Sequence, residues 1–302
     1  MVNVAVVGYG FAGKSFHSYL VGLEERMTLH TISTRNPERQ ARAREDHPGV
    51  NVVGSLDGVL ADDDIDLVVL ATPHNTHRDL AVAAMDAGKP VVSDKIVAMN
   101  APETVEMAEA AERNGVLFSV FHNRRWDWDF LTVKKAIEDG YVGEPYLYES
   151  AIMRYGGPGG WRGVKSESGG ILYDWGAHLV DQALTLVPSK VASVFCQIQY
   201  RKWEVDIGSY VCVNLNFENG AVYRVEVGNL SMYQRPRFHV LGDAGALVKT
   251  GIDPQEPYMK DGRIDDAEED AADHARIWTE RDGAREELVI ESVRGSWRGY
   301  YR

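Results

Sequence analysis

Cysteine, positive charge and long apolar runs are all scarce in this sequence, and each shortage closes off a class of function. Only two cysteines, Cys196 and Cys212, occur in 302 residues. Both sit in apolar, strand-like surroundings without metal-type spacing, so buried thiols are expected rather than a disulfide or a metal site. Lys and Arg number 32 against 45 Asp and Glu, giving a net charge of -13. That surplus repels phosphate backbones and anionic lipid, which argues against nucleic acid and membrane as partners and leaves small molecules. No apolar stretch is long enough to cross a bilayer, and a strand opening at Val2 leaves no room for a leader, so a cytoplasmic location is expected.

Against these shortages stands ample core material, with 44% of residues hydrophobic. A chain of this length fits two domains, expected at 1–122 and 123–302. The first stretch to carry chemistry is Val2 to Ser15, where the apolar run Val4 to Val7 enters Gly8-Tyr9-Gly10-Phe11-Ala12-Gly13. It reads as a buried strand, a tight turn and a helix, the cradle of a dinucleotide. Gly8 takes the turn, Gly10 lets backbone approach a pyrophosphate, and Gly13 permits close helix-to-strand packing. The open N–H groups of the new helix face the phosphates.

A second strand, Met27 to Ser33, delivers Ser33, Thr34 and Arg35 about 20 residues beyond the glycines, where the ribose is read. A carboxylate there would select NAD. Hydroxyls and a guanidinium favour the 2′-phosphate of NADP, with NAD as the alternative. The run Asp66 to Ala71 ends in Thr72-Pro73-His74-Asn75-Thr76-His77, and Pro90 to Ser93 ends in Asp94-Lys95-Ile96. Strands alternating with helices specify a doubly wound parallel sheet, whose ligands collect at the carboxyl ends. Thr72, Pro73, His77 and Asp94 therefore join Gly8, Gly10, Phe11, Ala12, Gly13, Ser33, Thr34 and Arg35 as candidate cofactor contacts, although His74 and His77 read equally well as helix-capping and loop residues. Lys95, at a strand end beside that site, can hydrogen-bond a substrate hydroxyl and stabilise charge on its oxygen.

From His122-Asn123-Arg124-Arg125-Trp126-Asp127-Trp128 the character shifts to aromatics and paired charges, marking the crossover to the second domain. Trp128 and Arg125 read as packing residues, whereas Asn123 and Arg124 lie near a strand end and could reach a polyol. A strand ending at Tyr155 enters the glycine-rich loop 156–160, followed by Trp161 and Arg162, which either closes over a substrate or tucks against its own domain. Tyr155 and Trp161 are thus further substrate-binding candidates. From Gly169 to Leu186, Leu172, Trp175, Leu179 and Leu186 form an inward stripe while Asp174, His178 and Asp181 share another face. In a chain with a nicotinamide site, a histidine titrating near neutrality is the natural proton acceptor, oriented by a carboxylate one turn away. Residues 191–249 alternate as strands, with a hairpin signal at Glu218-Asn219-Gly220, so an antiparallel sheet is expected. Its outer face, if apolar, would pair subunits into a homo-oligomer. The acidic run Asp265 to Asp270 lacks calcium-loop spacing and reads as a solvated loop.

Four phrases, Gly8 to Gly13, Ala71-Thr72-Pro73 with His77, Ala87 to Lys95 and Gly169 to His178, together resemble the Gfo/Idh/MocA oxidoreductases over nearly the whole chain. Phe121 to Asp127, Asp129 to Thr132 and Gly251 to Glu256 look like the branch containing NADP-dependent scyllo-inositol dehydrogenases. The resemblance implies a Rossmann domain, then an α+β domain with a large, mainly antiparallel open sheet. It also implies a catalytic Lys95, with Asp174 and His178 as its partners: His178 accepts the hydroxyl proton while Lys95 and Asp174 position a cyclic polyol or sugar. Aldose or keto-sugar reduction and a non-catalytic dinucleotide-sensing role are the alternatives. Two departures stand out: the family's Glu-Lys-Pro is Asp94-Lys95-Ile96 here, and the sequence stops at Arg302, where relatives usually continue into a closing helix.

Overall fold

Val4, Ala5 and Val6 are wholly buried, as the apolar run that holds them requires of a central strand covered on both faces. The computed structural model describes residues 1–281 and 283–302. The chain forms two compact units, residues 1–122 together with Arg298–Arg302, and Asn123–Trp297.

In the first unit β1 (Val2–Val7), β2 (Met27–Ser33), β3 (Asn51–Val53), β4 (Leu67–Leu70), β5 (Val91–Ser93) and β6 (Phe118–Val120) make one parallel sheet, in the order β3-β2-β1-β4-β5-β6. This is the doubly wound order, in which connections diverge between β1 and β4 and open a crevice at their carboxyl ends. Local sequence sets the helices. Ala101–Asn114 is started by a reciprocal cap, in which Asn100 accepts from Glu103 N–H and the Glu103 carboxylate accepts from Met99 N–H, and it is stopped by Gly115 at φ 62°. The tail Arg298–Arg302 packs with this unit. Tyr300 Oη meets Ser119 Oγ at 2.7 Å, and Arg298 hydrogen-bonds the Glu24 carboxylate at 3.0 Å.

The second unit is built on eight strands: β7 (Pro145–Met153), β8 (Val191–Gln199), β9 (Tyr210–Phe217), β10 (Val222–Gly228), β11 (Phe238–Gly242), β12 (Gly245–Lys249), β13 (Ala275–Arg281) and β14 (Ala284–Ile290). Their order is β14-β13-β12-β11-β7-β10-β9-β8, antiparallel except for β7 with β10. The fold is α/β in the first unit and α+β in the second. Alternation sorts the two sheet faces. Val211, Val213, Leu215 and Phe217 are buried in one core with Phe130, Leu179 and Ala183 from helices Trp128–Glu138 and Ala177–Leu186.

The opposite face differs from the apolar surface considered above. Register aligns His239, Glu149, Arg224 and Asn214 across β11, β7, β10 and β9, and each neighbouring pair is hydrogen-bonded at 2.8 to 3.2 Å. Exposed apolar side chains concentrate instead on the edge strand β8, at Val194, Phe195 and Ile198. The expectation of buried thiols is corrected there: Cys196 on β8 is exposed and Cys212 only half-buried. An edge strand has no neighbour on one side, so its apolar composition does not bury it. The acidic run also departs from a fully solvated loop, because Glu269 ion-pairs at 2.6 Å with the wholly buried Lys249.

Candidate functional site

The carboxyl edge of the first sheet is fastened by strand-to-strand bonds, Gly8 N–H to Ser33 carbonyl, Ala71 N–H to Val7 carbonyl and Asp94 N–H to Leu70 carbonyl. Gly8 has φ 100°, and a Cβ there would lie 2.3 Å from the Ala71 carbonyl oxygen. A Cβ on Gly13 would lie 1.8 Å from the Gly8 carbonyl oxygen, so strand and helix touch backbone to backbone. Gly10 differs: a Cβ there meets nothing nearer than Arg39 Nη1 at 3.7 Å. Two glycines are therefore demanded by packing, while the third keeps space open before the helix that begins at Ala12. That combination fits a dinucleotide, whose pyrophosphate needs close backbone approach and open N–H donors. Nothing in the local sequence singles out Arg39. It lies one turn into the helix Pro37–Asp46, and only the geometry brings its guanidinium to the glycine turn.

Around this cradle Phe11 is exposed and stacks edge-on with Phe16 at 5.5 Å, and Ala12 is half-buried. Ser33 and Thr34 are buried, whereas Arg35 is exposed and able to meet a ligand. Thr72 and Thr76 share a 2.7 Å hydroxyl bond, and Thr76 also donates to the Pro73 carbonyl, so the loop after β4 is closed on itself.

His77, read in the sequence either as a cofactor contact or as a loop residue, lies between two loops of the first unit. It is wholly buried, with Nδ1 at 2.7 Å from the Ile96 carbonyl and Nε2 at 2.9 Å from the Thr72 carbonyl. Burial pushes its pKa below the ordinary value despite the Asp94 charge, and a neutral ring donates to only one of these carbonyls. Its effect on the site runs through the two loops it ties together.

Asp94 accepts the backbone N–H of Lys95 at 2.7 Å and faces His17 Nε2 at 3.8 Å. Burial works against its ionised form, yet His17, Lys95 and His77 outweigh it and hold the carboxyl at about 2. Asp94 is thus an ionised anchor at the base of Lys95, and the Lys95–Ile96 peptide is cis.

In the second unit Leu172–Gly176 form a π-helical turn that runs into the α-helix Ala177–Leu186. Asp174 accepts from Arg162 Nε at 3.2 Å, and the Arg162 guanidinium lies 4.8 Å from the ring centre of Trp161. Trp175 is half-buried with His178 edge-on at 6.3 Å and guanidinium carbons of Arg124 and Arg154 at 4.7 and 5.9 Å. His178 itself is buried. Asp181, placed with them by helical spacing, is taken up by a bidentate pair with Arg125 at 2.6 and 2.8 Å. Arg125 is thereby a structural residue, as is Trp128, whose indole donates to the Gly295 carbonyl.

Arg124 is taken up inside the second unit. It is buried between the Trp175 and Trp297 rings and paired with Asp127 at 3.1 Å and Glu256 at 3.0 Å. A cation desolvated this fully is held by its carboxylates. Asn123 beside it is also buried, and its side-chain Nδ2 has no hydrogen-bond partner among the described residues. Tyr155 is exposed and stacks edge-on with Trp203 at 5.9 Å, its hydroxyl bonded to Lys202. Asp127, Asp129 and Asp253 form an acid cluster. Asp253 accepts from Trp128 N–H and Gln255 N–H, and burial together with the Asp129 charge pushes its pKa up to about 6.

Comparison with known proteins agrees with the two halves. Residues 2–122 match the oxidoreductase family with an NAD-binding Rossmann fold, and residues 130–248 match the GFO/IDH/MocA C-terminal domain. The chain is 32% identical over 308 residues to scyllo-inositol 2-dehydrogenase (NADP(+)) IolW of Bacillus subtilis strain 168, covering 100% of this chain and 84% of that relative. It is 28% identical to levoglucosan dehydrogenase of Pseudarthrobacter phenanthrenivorans, over 82% of this chain and 73% of that one. A solved oxidoreductase structure from Bacillus subtilis, yvaA, superposes with a TM-score of 0.92 at 30% identity, covering 99% of this chain and 86% of that chain.

Proposed function

The chain belongs to the Gfo/Idh/MocA oxidoreductase family, and from that premise we propose that it interconverts a secondary alcohol and a ketone on a cyclic polyol, an inositol foremost, with NADP. The observation that carries the proposal is the carboxyl edge of the first sheet, where the open space at Gly10, the guanidinium of Arg39 and the anchored Lys95 follow β1, β2 and β5 respectively.

Gly8, Gly10 and Gly13 with the N–H groups after Phe11 and Ala12 would hold the pyrophosphate, and Ser33, Thr34, Arg35 and Arg39 the 2′-phosphate. Thr72, Pro73 and Asp94 would border the nicotinamide end. When bound, the dinucleotide supplies the hydride acceptor for alcohol oxidation and the donor for the reverse. The chain's own residues handle the oxygen. The His178 imidazole accepts the hydroxyl proton as the carbinol becomes a carbonyl, and returns it in the other direction. The Lys95 ammonium hydrogen-bonds that oxygen and stabilises its developing charge. Asp174 fixes a neighbouring hydroxyl, with Arg162 setting its carboxylate, while Asn123 offers an unmet donor and Tyr155 and Trp161 offer faces on which a sugar ring can stack. Self-association through the second sheet belongs to the same proposal, supported by the exposed apolar side chains of β8.

The test is NADP+ reduction by the purified chain against a panel of inositol isomers and aldoses. Turnover led by an inositol supports the proposal, and turnover confined to aldoses or keto-sugars replaces the substrate. NADPH binding without turnover on any of them converts the reading to a dinucleotide sensor.

A further inference from the structure

Lys95 is anchored from behind by a buried chain of contacts in which His17 and Tyr301, 284 residues apart, meet directly. His17 has no exposure and packs against the Phe121 ring at 4.4 Å. Its Nδ1 lies 2.6 Å from Tyr301 Oη across that span of sequence, and its Nε2 faces Asp94 Oδ2 at 3.8 Å. The second distance is an ion-pair separation, too long for a hydrogen bond. Asp94 in turn accepts the Lys95 backbone N–H through Oδ1. All four residues belong to the first unit.

The tautomer of His17 follows from its neighbours. If Tyr301 O–H donates to Nδ1, the ring proton sits on Nε2 and points at the carboxylate. The opposite tautomer turns a lone pair toward a negative charge and is disfavoured. We propose that His17, locked in the Nε2–H form by Tyr301, is a positioning residue that holds the Asp94 carboxylate in the orientation that presents Lys95. This rests on the assignment of Lys95 to the chemistry. The titratable groups facing Asp94 are His17, Lys95, His77 and Tyr301, and those facing His17 are Asp94 and Tyr301, the latter with Tyr300 beside it.

Three variants separate positioning from mere packing. His17→Gln keeps a donor where Nε2 stands, His17→Leu removes it, and Tyr301→Phe deletes only the hydroxyl that sets the tautomer. Because His17→Leu deletes the donor that faces the carboxylate, it is expected to lower kcat by about 10- to 100-fold while the KM for NADP stays within about twofold. His17→Gln, which keeps the donor, restores most of the lost kcat. Nitrogen-15 spectra of the labelled imidazole show the Nε2–H tautomer in the wild type and a mixture in Tyr301→Phe.

Wild-type kcat in folded His17→Leu overturns the proposal, as does an Nδ1–H tautomer in the wild type. Gln and Leu variants that are equally impaired make His17 a packing residue and overturn it too. Should His17→Leu fail to fold, Tyr301→Phe carries the test alone: unchanged kcat with an unchanged tautomer overturns the proposal. Lys95→Ala is the reference. Wild-type turnover in that variant overturns the assignment of Lys95 and this proposal together, whereas impaired Lys95→Ala beside intact His17→Leu overturns this proposal only.

Discussion

Asp174 and Arg162 are joined at 3.2 Å, so the carboxylate on the π-helical turn is held by a cation from the glycine-rich loop that precedes it. The Arg162 side chain is 39% exposed, and little of the pair's value goes into stability. Arg162→Met is expected to raise the KM for the polyol by about tenfold through a less ordered Asp174, with Tm nearly unchanged. Steady-state kinetics with a thermal scan check this. An unchanged KM would show that Asp174 needs no partner to be placed.

The proposed use of NADP leans on two guanidinium groups. Arg35→Asp and Arg39→Glu each put a carboxylate where a 2′-phosphate is expected, and each should weaken NADPH by about 10- to 100-fold while leaving NADH little affected. Fluorescence titration of both cofactors measures the ratio, and an unchanged ratio in both variants removes these arginines from the assignment.

The three glycines give a separable pair of outcomes. Gly13→Ala drives a Cβ to 1.8 Å from the Gly8 carbonyl oxygen and should cost about 3 kcal/mol of stability or more. Gly10→Ala has room, its nearest neighbour being Arg39 Nη1 at 3.7 Å, so the chain should melt like the wild type. Its NADPH affinity should nevertheless fall by about tenfold or more, because the methyl group fills the phosphate approach. Normal NADPH binding by Gly10→Ala would place the pyrophosphate elsewhere.

These positions show what local sequence can and cannot reveal. The β1–Gly8–helix cradle and the capped helix at Ala101 are legible because every determinant lies within a few residues. Strand β13 carries the same kind of local signal beyond the strand-rich stretch that ends at Lys249, since Ala275, Ile277 and Thr279 alternate as buried positions. Arg124 looks like a ligand-binding arginine in sequence because its partners Glu256 and Trp297 arrive from far along the chain and turn it into a buried ion pair. Cys196 looks buried because strand order, which leaves β8 at an edge, is fixed by long-range pairing. Nothing near Gly13 announces that His17 will meet Tyr301.

Asp253 gives the stability a pH dependence of defined sign. Its folded pKa of about 6 stands above the ordinary carboxyl value near about 3.9, so the native state holds the extra proton between them. The stabilisation is complete below about pH 4 and is lost as pH rises through 6, at a slope of at most about 1.4 kcal/mol per pH unit. Urea unfolding from pH 4 to 8 should show this loss, and Asp253→Asn should flatten it. The same slope in that variant would assign the titration to another group.

The most direct measurement pairs turnover with cofactor binding in Lys95→Ala and His178→Ala. Loss of ammonium or imidazole should lower kcat by about 100-fold or more in each, with the NADPH dissociation constant within about twofold of wild type. Wild-type turnover in either variant, or loss of NADPH binding in step with turnover, would contradict the assignment of these two side chains to the chemistry.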